Sequence, residues 1–427
     1  MAGETGPLPR LGDFLFPNIF RSFRMAIQPS KLALAFLALA AICVTGRLMD
    51  LNRTVIAAGG ATELDAYLIS EAALRALLES PPADADRAGV FTTLWRFGAA
   101  HFHTALSAIF TLDVPQCIAS TVGCLRAIVW AFRYHTIYSI ILFAVVLVAL
   151  SLAGGTICRI AALQFARSER TGLVPAAKFS RKRLSSLIAA PLGPFGIALL
   201  LGVPIILLGL VGNIPYAGEL LAGVLLPLAL VLAPFIAVIL IGAVAGLNLM
   251  FPAIAYEDSD FFDAISRSFS SVYAKPWRMG FYTLVALLYG AVCYMFVRFF
   301  VFLLLWVTHG LLQLGLSNAK LEAIWPEPSF TVLIGPISVT PDAWSLWLAA
   351  LLIRIWLLVV VGLMISFVLS FYFSANTVIY ALMRNRVDGT PLDEIYGDTE
   401  PAAGESPQPD APSPPATPSP EGKDATP

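Results

Sequence analysis

Between Leu184 and Tyr256 the chain carries a single charged residue, Glu219. The two uncharged runs it separates, Leu184–Gly218 and Leu220–Tyr256, are each longer than the ~20 apolar residues that cross a hydrocarbon core of ~30 Å. Water offers no environment in which so much apolar surface can sit at rest, so the bilayer is the solvent this sequence is written for. Composition agrees: 58% of the 427 residues are hydrophobic and 13% are charged, against ~25% charged in soluble domains. A net charge of −1 excludes a broad basic surface for nucleic acid.

Four further runs fit a span. Within a first span at residues 32–49, the uncharged run Leu32–Gly46 is short and bounded by Lys31 and Arg47, whose long side chains can snorkel to the interface. The alternative, a cleaved signal peptide, is disfavoured because the run starts far into the chain and no small-x-small site follows it. Tyr134–Cys158, Met279–Val307 and Ala343–Met383 complete the set. Pro191, Pro194 and Pro204 are expected to kink or interrupt the first long run and Pro227 and Pro234 the second, with a broken hairpin over 191–219. The expectation is all-α: a polytopic helical bundle of about six spans, with interfacial helices and a small extracytoplasmic helical segment.

Orientation follows from basic residues near the span ends. The stretch after Cys158 holds Arg159, Arg167, Arg170, Lys178, Arg181, Lys182 and Arg183 against one acid, Glu169. That places residues 1–31 in the cytoplasm, 50–133 outside, a five-span membrane domain at 134–383, and 384–427 in the cytoplasm again. Within the outside segment, Thr62 followed by Asp65 predicts the cap of a helix reaching Ser80, where Pro81 and Pro82 stop it. Val90–Leu112, with Trp95, Phe97, Phe102 and Phe110, reads as a helix lying against the membrane face. The Pro-rich tail, with nine prolines from Pro401 to Pro427, cannot bury enough apolar area to order itself and is expected to be disordered. It is solvated, or docks a protein partner.

Catalytic signatures are missing. There is no GxxxxGK[ST], HExxH or GxSxG, and His101 and His103 fall on different sides of a helix, which disfavours a metal site. No cofactor is expected. Cys117 and Cys124 lie in the outside segment, where a disulfide persists if the intervening residues form a loop; a helix there would hold them ~10 Å apart, too far to bridge. Arg298 and Arg354 stand inside apolar runs. Each snorkels to lipid phosphate, or the two share an anion, with Glu219 the nearest carboxylate by topology or an anionic lipid in its place.

The stretch 259–275 reads as an in-plane interfacial helix, with Asp263 and Arg267 paired at i, i+4 and Trp277 and Arg278 anchoring the next span. Here a resemblance enters. Pro252-Ala-Ile-Ala, an acidic turn, Asp263-Ala-Ile-Ser-Arg-Ser-Phe and the Trp277-Arg278 re-entry resemble uncharacterised bacterial multi-pass membrane proteins. Cys158-Arg-Ile-Ala-Ala-Leu-Gln-Phe-Ala-Arg167 and the Gly212–Gly218 turn extend the resemblance over roughly residues 90–400. More distantly, the pattern is similar to the membrane domain associated with some glycerophosphodiester phosphodiesterases. The resemblance implies a membrane fold in a bacterial cytoplasmic membrane and no activity, since no catalytic residue has a counterpart here. A non-enzymatic protein that organises membrane or binds lipid or a partner is the leading expectation. A transporter or channel working through 191–219, Arg298 and Arg354 is the alternative.

Overall fold

The computed structural model describes residues 15–82, 85–169, 171–335 and 344–395. Most of the Pro-rich tail, and with it the expectation of disorder, lies outside these residues. Seven helices are long and apolar enough to cross a membrane: α2 (Pro29–Met49), α6 (Val114–Tyr134), α7 (Thr136–Arg167), α9 (Leu184–Gly212), α10 (Ala217–Glu257), α12 (Pro276–Gln313) and α14 (Trp344–Asp388). The chain is thus an all-α, multi-pass membrane protein. Shorter helices fill the connections: α1 (Arg21–Ala26), α3 (Glu63–Ile69), α4 (Glu71–Glu79), α5 (Val90–Thr111), α8 (Leu173–Lys182), α11 (Phe261–Ala274) and α13 (Asn318–Ile324).

The expected proline-broken hairpin is not broken. Pro191, Pro194 and Pro204 lie inside the continuous α9, and Pro227, Pro234 and Pro252 inside the continuous α10. Each proline removes one N–H, whereas unwinding a turn in lipid would leave several groups without partners. The chain turns only between the helices, at Asn213–Tyr216, where Tyr216 takes a φ of 66°.

At one end of the bundle the segment between α2 and α5 holds a small antiparallel sheet. β1 (Val55–Ala58) is flanked by β2 (Ala61–Thr62) and β3 (Asp86–Ala88). Thr62 and Asp65 form the expected capping box. The helix it opens is not continuous to Ser80, because Ser70 is extended at φ −165° and caps α4 through Ala73 N. Asp50 ties this end together. Its carboxylate accepts from Phe91 N (3.0 Å), Thr92 N (2.8 Å), Thr92 Oγ1 (2.6 Å) and Tyr138 OH (2.6 Å). One side chain from α2 thereby caps the amino end of α5 and holds α7 beside it.

The opposite, basic end contains the tightest packing. Small residues let helices close: Gly154 and Gly155 of α7 face Phe373 and Leu187. From Ser370 to Arg384 nearly every α14 residue is buried, as is α10 from Leu249 to Tyr256, Phe251 excepted. Glu257 lies 2.7 Å from Arg384 and 3.7 Å from Arg267, and accepts from Tyr380 OH at 3.3 Å. Residues 384–395 belong to this core, not to a free tail: Arg384 donates to Glu394 O at 2.6 Å, and Ile395 is buried.

Helix α11 does not lie alone in a membrane plane. It doubles back along α10, with Ser268 against Gly246 and with Phe269 and Tyr273 against Gly242. Its apolar face, expected to meet lipid, is spent on α9 and α10, where Ile265 fills the space beside Gly193. Asp260 caps it through Asp263 N at 2.9 Å, Asp263 and Arg267 pair at 3.0 Å, and Trp277 beyond it is exposed, as is Arg278.

Candidate functional site

The segment read as lying across the membrane face is instead an antiparallel hairpin, α5–α6, inserted along the bundle. Phe102 packs edge-on to Tyr294 at 5.3 Å and His103 sits 3.3 Å from Arg298, so α5 lies against α12. Further along, Leu106 and Ile109 join the main core. The hairpin closes at Leu112, which takes φ 57°, and Asp113, whose side chain caps α6 through Gln116 N. Beside the turn, Ile109 and Cys117 share a cavity lining with Thr283 from the first turns of α12.

Between this hairpin, α12 and α14 lies a cavity of about 430 Å³, within the ~300–1,000 Å³ range of ligand pockets. Its walls are mostly apolar: Leu106 and Ile109 from α5, Ala286 and Leu287 from α12, Phe367 and Phe371 from α14. Polar groups are few and gathered. Asn248 Nδ2 donates to Asn376 Oδ1 at 3.1 Å, while Asn248 Oδ1 is buried and accepts nothing. Thr121 of α6 and Thr283 of α12 add hydroxyls to the lining. The arrangement suits an apolar body with one hydrogen-bond donor placed to reach Asn248.

Among the described residues Arg298 and Arg354 share no carboxylate. Arg298 is buried and its guanidinium is satisfied by protein: the carbonyls of Phe330 (2.9 Å) and Thr331 (3.1 Å), Tyr294 OH (3.3 Å) and the His103 ring. The Phe330 ring also stacks against it at 5.2 Å. Arg354 donates to Gly335 O at 3.3 Å. Glu219 sits in the first turn of α10 and forms no ion pair among the described residues. The reason is local. The loop after α13 folds back over α12, and its carbonyls match the guanidinium fork as well as a carboxylate does. Arg298 is thus the post that fixes this loop.

Cys117 and Cys124 are free thiols, and the disulfide is ruled out because both stand on the continuous helix α6. Cys117 faces the cavity instead. His101 and His103 point apart, His101 stacking on Phe97 at 4.1 Å and His103 meeting Arg298. Among the described residues no three His, Cys, Asp or Glu side chains gather as metal ligands would.

Asn248 and Asn376 were the signal missed in the sequence. Each is a single neutral amide within a long apolar run, where it lowers the hydropathy too little to stand out. Comparison with known protein families, curated proteins and solved structures yields no match for this chain.

Proposed function

We propose that this chain is a non-enzymatic membrane protein that holds an amphiphile, a lipid or a lipid-like molecule, in the cavity between α5–α6, α12 and α14. The observation that carries the reading is Asn248 Oδ1, a buried acceptor without a donor at the edge of an apolar cavity. Leaving such a group unpaired costs about 1–3 kcal/mol, and a ligand hydroxyl or amine entering the cavity recovers it. A bacterial cytoplasmic membrane with both chain ends inside fits the basic 159–183 stretch. Because α5 and α6 return to the end they leave, the extra apolar helix α6 is compatible with that orientation.

Filling the cavity tests this. Ala105 lines it from α5 and is only half-buried, so Ala105→Trp is tolerable to the fold. Native mass spectrometry of the purified protein is expected to show an adduct of lipid mass in the parent and its loss in Ala105→Trp, at an unchanged melting temperature. An adduct that persists undiminished in the filled variant sinks the proposal.

A further inference from the structure

A second cavity, of about 580 Å³, opens at the basic end between α1, the start of α2 and the last turn of α7. It shares no lining residue with the first, and nothing in the amphiphile reading depends on it. Its character is opposite. Arg21 and Arg24, three apart on α1, project from one face into it, and Gln28, Ser30, Gln164, Ser168 and Thr171 supply polar walls.

Among the described residues neither Arg21 nor Arg24 forms an ion pair with a carboxylate. Arg21 is held in place from behind, its guanidinium 5.3 Å from the centre of the Phe165 ring. A third basic side chain backs the wall. Lys31 is fully buried and donates to Gln164 Oε1 at 3.1 Å, fixing that amide at the cavity surface. One acid, Glu169, faces the same space. The amino end of α2 also opens here without a side-chain cap, beginning at Pro29, so its partial positive charge adds to that of the side chains.

We infer that this cavity binds a phosphate group. Two guanidinium forks match phosphate oxygens, and the hydroxyls of Ser30, Ser168 and Thr171 can donate to the rest. The same chemistry is carried by the headgroup of an anionic lipid and by soluble phosphate, and the site's place at the end of the bundle admits both.

The full chain in phosphatidylcholine nanodiscs tests the inference, with phosphatidylglycerol added to the bilayer in one arm and inorganic phosphate added to the buffer in the other. The readout is the rise in melting temperature as each is titrated. Arg21→Gln/Arg24→Gln removes two charges inside the cavity. Arg181→Gln/Lys182→Gln removes two exposed charges at the same end but outside it. Half-saturation is expected to shift by about tenfold or more in the first pair and to change little in the second. Arg24→Gln alone carries the test should the double variant unfold, since the Arg24 guanidinium makes no side-chain hydrogen bond or ion pair among the described residues. A response to phosphatidylglycerol with this pattern supports the site with a lipid source. A response to phosphate with this pattern supports it with a soluble source. No response in either arm, or an equal loss in both variant pairs, overturns it.

Discussion

The hairpins α5–α6 and α9–α10 are both antiparallel and both enter the bundle region, yet they meet opposite surroundings. α5 carries Arg96, His101 and His103 and meets α12, while no residue in the most apolar window of α10 is fully buried. Away from the basic end, α9 and α10 expose Leu199, Leu200, Leu220 and Val224, each above 60%. A helix that faces lipid must be apolar all round, because no other partner exists for a polar group. A hairpin that faces protein is released from that demand. His103 can sit there because Arg298 and its loop do.

Cutting the anchor of the packed hairpin gives the largest effect. Asp50 is the one carboxylate on which Phe91, Thr92 and Tyr138 converge. Asp50→Leu orphans several buried donors at once and is expected to cost about 4 kcal/mol, with α5–α6 released first. Limited proteolysis near Gly89, alongside thermal unfolding in detergent, reads both. No gain in cleavage at that site would mean the hairpin is held by its packing alone.

The lipid-facing hairpin breaks differently. Val231 is 59% exposed near the middle of α10, and Val231→Arg places a charge among acyl chains for roughly 3 kcal/mol. Reduced membrane integration, with the polar contacts of α5–α6 unchanged, is the expected outcome. Wild-type integration would place this face against water or protein.

The same contrast sets what a sequence can disclose. α9, α10, α7 and α14 are conspicuous because their best windows average 2.6 or more in mean hydropathy, whereas α6 reaches 1.3. α6 carries Gln116, Arg126 and Arg133 among its apolar residues, and that polar content mutes its hydropathy and makes it read as part of an outside segment. The pairing of Arg298 with Phe330 and Thr331 was equally hidden, since backbone carbonyls have no sequence signature. Asp263 and Arg267 were legible because four residues on a helix fix their distance. Asn248 and Asn376 are 128 positions apart, and only the packing of α10 on α14 joins them.

A subtler change at the junction of the hairpin and its neighbours follows. Arg298→Lys keeps the charge but cannot span the carbonyls of Phe330 and Thr331 with a planar fork. A loss of about 2 kcal/mol is expected, with the 325–335 loop loosened toward hydrogen exchange. Full protection of that loop in the variant would show that charge alone suffices.

The smallest expected effect on stability belongs to Asn248→Leu, and it separates packing from binding. The substitution removes one hydrogen bond to Asn376, worth about 0.6 kcal/mol between membrane helices, and leaves Asn376 Oδ1 without that donor. It also removes the orphaned Asn248 Oδ1, whose burial already costs about 1–3 kcal/mol. The two terms oppose, so the net change is expected to stay within about 1 kcal/mol. A residue kept for packing would then be dispensable in every assay. A residue kept to receive a ligand's hydrogen bond would not: Asn248→Leu should lose a hydroxyl-bearing amphiphile while still admitting an apolar chain of equal length. Competition between a fatty alcohol and the matching alkane, followed by native mass spectrometry, distinguishes them. If the variant discriminates between the two as the parent does, Asn248 belongs to the packing of α10 on α14 and the polar end of the ligand must be sought elsewhere along the cavity.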